Sequence, residues 1–323
     1  MLTSPAKIFL PGLQPRPRFG KRYEALVLSY GGGQDSTALL LRLIFDDRFR
    51  KAYSFNRLLV LMSDTGNEHD HTYRFLNEVI APLCAAEGIA FHFLTNAMGF
   101  HSPTWPDLVS FYERTHTCGS KGFRHNCSVR LKIETLYRYL EAWLGDQYEL
   151  KNVDPRSKRG SHKRGFYEFT ARYGPVGMMI GFSKGEEGRR APVHALPRWS
   201  QETVERIYPL IDLGLDRAAC QQEIAGWGLE VPFPSACLLC PYQSETSLLW
   251  LYRNHPNWYE RWVQIEAAKL EKFAHLGGRN HGVWPHKTLP EVLEKELHIN
   301  GALSKEALDH YKMNNGHNIK TQY

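Results

Sequence analysis

Ala25, Leu26, Val27 and Leu28 follow one another without a polar break, and Leu39, Leu40, Leu43 and Ile44 then recur three and four residues apart. The first pattern predicts a buried strand over residues 24–29 and the second an amphipathic helix directly after it. Read in the same way, the chain predicts strands at 57–63, 89–94 and 176–182 and helices at 71–87, 129–144 and 216–227. Helices at 244–253, 258–273 and 290–297 follow. Strands separated by helices imply right-handed crossovers, hence an α/β fold with a parallel, Rossmann-like sheet sandwiched by helices. In such sheets the ligand crevice opens at the carboxyl ends of the strands. The expected organisation is an N-terminal extension over 1–20, an α/β domain over 21–243 with a basic insertion near 146–170, and a helical C-terminal region over 244–323.

A chain of 323 residues, 42% of them hydrophobic, is ample for a buried core. No apolar run reaches bilayer length, and Pro5, Pro11, Pro15 and Pro17 stand where a signal peptide would carry its apolar segment. A cytoplasmic, membrane-free protein is therefore expected. The net charge of +6 permits nucleic-acid contact without requiring it. Its distribution says more, because Lys151, Arg156, Lys158, Arg159, Lys163 and Arg164 fall in one stretch opposed only by Asp154. That stretch reads either as a basic loop that closes over phosphates or a polyanion, or as a solvated surface loop.

The turn joining the first strand to its helix, Ser29-Tyr30-Gly31-Gly32-Gly33-Gln34-Asp35-Ser36-Thr37, is a candidate phosphate cradle. Glycines let the backbone approach an anion, and a helix start adds unpaired N–H groups and the positive end of the dipole. No Gly-Lys-Ser/Thr follows, so it is not a Walker loop. At the next strand end, Asp64-Thr65-Gly66-Asn67-Glu68 could offer a carboxylate to a ribose, an adenine or Mg²⁺, or could simply form an Asx turn. Gly181 and the loop Ser183-Lys184-Gly185-Glu186-Glu187-Gly188-Arg189-Arg190 occupy a third strand end.

Of six cysteines, Cys84 and Cys220 fall in amphipathic helices and read as buried apolar residues. Cys237 and Cys240 form a Cys-x-x-Cys stiffened by Pro234 and Pro241, and Cys118 and Cys127 lie in a polar loop. One such pair supplies two soft ligands, so a metal centre needs more from elsewhere. A redox disulfide between Cys237 and Cys240 is the competing reading.

The glycine turn resembles the PP-loop of the adenine nucleotide alpha hydrolase superfamily, the ATP pyrophosphatases that include phosphoadenosine phosphosulfate reductases and ATP-dependent thiolation enzymes. The usual Ser-Gly-Gly-x-Asp-Ser lands on Gly31 to Ser36, with Gly31 in place of the serine and Gln34 where many members carry lysine. Asp64-Thr65-Gly66 is similar to an Asp-Thr-Gly segment of the same group. Asn126 to Glu134 resembles the Cys-x-x-x-(Arg/Leu)-Lys-x-(Glu)-Pro segment of its reductases and of DNA-phosphorothioation ATPases.

The resemblance implies ATP and Mg²⁺ at Ser29 to Thr37, Asp64 and Gly181, with Asp35, Lys132, Lys184, Arg189 and Arg190 serving catalysis. It implies a [4Fe-4S] cluster on Cys127, Cys237 and Cys240. A Cys₃His zinc site with His116 or His125 is the alternative, and Cys118 is a possible fourth ligand or persulfide carrier. The activity it implies is adenylation of an acceptor oxygen with release of pyrophosphate, then replacement by sulfur. DNA or RNA is the expected acceptor, a cysteine desulfurase or other sulfur donor the expected partner, and a homodimer is possible. A sulfonucleotide reductase is one alternative, although no cysteine follows Cys240. A non-catalytic ATP-binding subunit of a nucleic-acid modification or defence system is another.

Overall fold

The computed structural model describes residues 22–123, 126–151, 153 and 163–315. Five strands form one sheet: β1 (Arg22–Ser29), β2 (Ser54–Ser63), β3 (Ala90–Leu94), β4 (Val176–Ile180) and β5 (Val204–Ile207). Their order is β3-β2-β1-β4-β5 and every pair is parallel. β1 takes the centre because its apolar run has no solvent face: Leu26, Val27 and Leu28 are fully buried. The chain moves outward from β1 to β3 on one side and from β4 to β5 on the other. The order reverses at β1/β4, and this reversal opens a crevice beyond their carboxyl ends. Ser29 pairs with Leu61 and with Ile180, so three strand-end loops emerge side by side.

Alternation along β1 divides the core. Leu26 and Leu28 face the helices Gln34–Phe45 and Arg217–Gly226, whereas Ala25 and Val27 face Glu134–Tyr148 and Arg164–Tyr173. Arg42 on the first helix and Glu223 on its neighbour form a buried, two-bond ion pair that fixes how these two helices sit together. A third core gathers Leu108–Thr115, Glu245–Asn254, Pro256–Lys272 and Leu289–Asn300 around the fully buried Trp262. Leu131, Leu238 and Leu239 belong to it too, so the cysteine-bearing segments are seated in the helical core rather than on the sheet.

Several elements differ from the pattern-based reading. The helix expected at 71–87 is Asp70–Phe75, a π-helical turn Leu76–Ile80, and Ala81–Ala86. Pro82 lacks the N–H that would continue the ladder, which accounts for the wider turn before it. The helix expected at 129–144 also opens on a π-helical turn, Ser128–Ile133, and runs on through Glu134–Tyr148. The strand expected at 176–182 stops at Ile180. The four-residue edge strand β5, with polar Glu205 and Arg206 inside it, was too short and mixed to read. Helices Leu108–Thr115 and Lys305–Asn314 also went unread.

Part of the expected basic insertion is core. Helix Arg164–Tyr173 buries Phe166 and Phe169, and Lys163 pairs with the buried Glu141 at 3.4 Å. Arg156, Lys158, Arg159 and His125 lie outside the described residues, as do residues 1–20 and 316–323. Among the described residues no helix is long and apolar enough to cross a membrane.

Candidate functional site

The glycine turn is built largely from its own side chains. Gly32 has φ +75°, and a Cβ there would come within 2.9 Å of Thr72 and 3.0 Å of Met62, so only glycine fits. The Gly31 N–H donates to Ser36 Oγ at 3.1 Å, and Ser36 Oγ donates to the Gly33 carbonyl at 3.1 Å. The Thr37 hydroxyl donates to the same carbonyl at 2.8 Å and meets the Tyr30 hydroxyl at 2.8 Å. Gly33, in extended conformation, opens helix Gln34–Phe45 without a side-chain cap, which leaves first-turn N–H groups for an anion.

The turn forms the floor of a cleft walled by Ser29, Met62, Ser63, Gly181, Phe182 and Ser235. Tyr30, Gly31, Gly33, Gln34, Asp35 and Ser36 line it, whereas Gly32 and Thr37 point into the protein. Gly181 packs so closely that a Cβ would lie 3.0 Å from the Ser36 nitrogen. Gln34 does not replace the lysine it was matched against. Its buried amide donates to the carbonyls of Pro232 at 2.8 Å and Met313 at 3.3 Å and accepts from Gln221 at 3.1 Å. The side chain thereby ties the turn to the last helix.

Among the described residues three cations reach the cleft: Lys132, Arg189 and Arg217. Arg189 donates to Glu186 at 2.7 Å and lies 4.1 Å from the centre of the Phe182 ring. Arg217, at the start of its helix, went unnoticed in the sequence because nothing local shows that this helix packs against the glycine-turn helix. Lys184 is exposed and Arg190 pairs with Asp212 at 3.8 Å beside Tyr208; neither lines the cleft. Asp35 does line it, and its Oδ1 is buried without a hydrogen-bond partner among the described residues. Burial pushes the Asp35 carboxyl up to about 6, opposed by Arg217 and Arg189.

Asp64 takes the Asx-turn alternative. Its Oδ1 accepts from the Gly66 N–H at 2.8 Å and the Tyr73 hydroxyl at 2.8 Å, and it does not line the cleft. That turn instead carries the Cys-x-x-Cys. Glu68 forms an antiparallel bridge with Cys237, the Leu238 N–H donates to the Asn67 carbonyl at 2.8 Å, and the Leu239 N–H donates to Asn67 Oδ1 at 2.9 Å. Glu68 has a fully buried side chain and pairs with Lys132 at 2.9 Å. Cys237 Sγ lies 3.1 Å from Thr65 Oγ1 and 3.8 Å from Glu68 Oε1. The cleft and the cysteine turn therefore share the Lys132–Glu68 pair.

Cys127, Cys237 and Cys240 gather near the buried Tyr112, whose hydroxyl is within electrostatic reach of all three and of Cys118. Burial raises all three thiols, Cys240 up to about 12, with Lys132 acting in the opposite sense. As they stand, no three His, Cys, Asp or Glu side chains among the described residues converge to hold a metal ion. The donor set nevertheless suits a soft metal: three sulfurs from two segments held in one core, beside two cations. His116 caps the end of Leu108–Thr115 in left-handed conformation. The aromatics considered for nucleic-acid stacking are mainly structural, with Trp250, Tyr259 and Trp262 buried and Tyr252 exposed.

No family model matches the chain, and none of the curated proteins matches it. Among solved structures, the U34-tRNA thiolase NcsA from Methanococcus maripaludis with its [4Fe-4S] cluster is similar at 12% identity and a TM-score of 0.38. That likeness covers 84% of this chain and 81% of the other.

Proposed function

We propose that the protein is an ATP-dependent sulfur-transfer enzyme of the PP-loop type, acting on an oxygen of DNA or RNA. The observation that carries the reading is the shared Lys132–Glu68 pair, with Lys132 in the cleft and Glu68 against Cys237. A phosphate cradle and a buried cysteine cluster divided by one ion pair suit a reaction in which an activated phosphoester and a sulfur nucleophile must meet.

ATP would lie with its phosphates against the first-turn N–H groups after Gly33, Mg²⁺ completing their neutralisation. An acceptor oxygen attacks the alpha phosphorus, the bond to the beta-phosphate oxygen breaks, and pyrophosphate leaves. Arg189, Arg217 and Lys132 stabilise the charge that builds on the phosphate oxygens. Adenylation thereby makes a poor oxygen leaving group a good one. A sulfur nucleophile then attacks the atom that bears it, forming the bond to sulfur as that oxygen departs with AMP. Cys127, Cys237 and Cys240 would hold the iron–sulfur cluster or zinc, which when bound presents sulfur in nucleophilic form. The sulfur comes from a cysteine desulfurase or another donor. Lys151 and the sequence cations Arg156, Lys158 and Arg159 supply positive charge for a nucleic acid.

The test uses anaerobically purified protein, ATP labelled at the alpha phosphate, Mg²⁺, a cysteine desulfurase with radiolabelled cysteine, and bulk tRNA or DNA. AMP, pyrophosphate and labelled sulfur in the nucleic acid are expected, all lost in Arg217→Ala. Binding of ATP with no AMP under these conditions would refute catalysis. Sulfite release from a sulfonucleotide with thioredoxin would replace sulfur transfer by reduction.

A further inference from the structure

The segment Pro232-Phe233-Pro234-Ser235-Ala236-Cys237 runs from the glycine turn to the cysteine turn. At its start the Pro232 carbonyl accepts from Gln34 at 2.8 Å, and at its end Cys237 bridges to Glu68. Between these two anchors Ser235 lies against Gly33, the residue that opens helix Gln34–Phe45. A Cβ on Gly33 would come within 3.1 Å of the Ser235 nitrogen and 3.4 Å of the Ser235 Cβ. Pro234 and Ser235 both line the cleft, and two prolines with fixed φ stiffen this wall. A phosphate seated on the first turn of the helix would therefore have the Ser235 side chain beside it.

The hydroxyl of Ser235 is engaged only loosely. It donates to Glu68 Oε2 at 3.3 Å, whereas a hydroxyl on a charged oxygen normally closes to about 2.6 Å. Glu68 does not depend on that contact, because its Oε1 pairs with Lys132 at 2.9 Å and accepts from the Thr65 hydroxyl at 3.1 Å. A phosphate oxygen in the cleft can take the hydroxyl in a closed, charge-assisted bond while Glu68 keeps its other partners.

We propose that Ser235 is a phosphate-binding residue whose hydroxyl turns from Glu68 to the nucleotide, so that filling the cradle draws the 232–237 wall onto the glycine turn. The inference rests on the nucleotide reading given above and adds how occupancy of the cleft reaches the cysteines. Cys237 follows Ser235 by two residues, and the next two amides, of Leu238 and Leu239, are bonded to Asn67 in the neighbouring turn. Tightening the wall restrains that bonded turn. No metal enters the argument.

Hydrogen exchange of the amides in residues 236–240 of the full-length, metal-free protein tests this with three probes: MgATP, inorganic pyrophosphate with Mg²⁺, and adenosine. At saturation MgATP and pyrophosphate should each slow exchange about fivefold or more in the native chain and in Ser235→Thr, which keeps the hydroxyl. Adenosine should change it less than about twofold. Ser235→Ala should bind MgATP about fivefold more weakly by isothermal titration, and at saturation its exchange should slow less than about twofold. Protection of Ser235→Ala equal to that of the native chain, protection by adenosine alone, or loss of the response in Ser235→Thr as well would overturn this inference and leave the nucleotide reading standing. If the native chain binds neither MgATP nor pyrophosphate, the nucleotide reading falls and this inference with it.

Discussion

Placing a methyl group on Gly181 tests how closely β4 and the phosphate turn depend on each other. The added Cβ would lie 3.0 Å from the Ser36 nitrogen and 3.2 Å from both the Asp35 carbonyl carbon and Ser36 Cα. All three are backbone atoms, so no side chain can rotate aside, and ordinary contact begins only near 3.4 Å. The turn or the end of β4 must therefore move by about 0.4 Å, an overpacking that costs about 1–3 kcal/mol. On the proposed reading, in which those same amides hold the phosphates of ATP, relief by the turn weakens ATP binding by roughly 5- to 150-fold. Relief by β4 instead appears as lost stability. Isothermal titration with ATP and Mg²⁺, together with thermal unfolding, separates the two outcomes. Gly188→Ala is the control, since nothing lies within 4 Å of its added Cβ. If Gly181→Ala matches that control in both affinity and Tm, the close approach has no energetic content and the reasoning fails.

The raised carboxyl of Asp35 gives a pH signature. Because its folded-state value lies near 6 against 3.8 for the free group, its contribution is fully present below pH 4 and is lost as pH rises through 6. Asp35→Asn should remove a decline of up to about 3 kcal/mol between pH 4 and 7; parallel urea-unfolding profiles for the two proteins would count against the burial argument. Gln34→Ala leaves the buried Pro232 carbonyl short of a donor, while the half-buried Met313 carbonyl keeps Gln221, and should cost about 1–3 kcal/mol by chemical denaturation. Since the backbone N–H groups remain, ATP affinity should stay within about threefold. A large loss of affinity without loss of stability would mean that the Gln34 amide serves the nucleotide directly.

Patterns of short period were legible in advance. β1 announced itself by an unbroken apolar run and the turn after it by three consecutive glycines, whereas the left-handed conformation and lack of space at Gly32 came from the structure. β5 was hidden because four residues with two polar positions do not distinguish an edge strand from a loop. The role of Gln34 was hidden for another reason: its partners stand 187 to 279 positions away.

By itself the sequence determined the parallel α/β class and the glycine turn, because backbone conformation and amphipathic period are local properties. Only the tertiary structure decided which cations enter the cleft, admitting Lys132, Arg189 and Arg217 and leaving Lys184 and Arg190 outside. It also decided that Asp64 is taken up by its own turn and that Glu68 joins the cleft to Cys237. A side chain's partners depend on how distant elements pack, and the spacing of residues along the chain does not encode that packing.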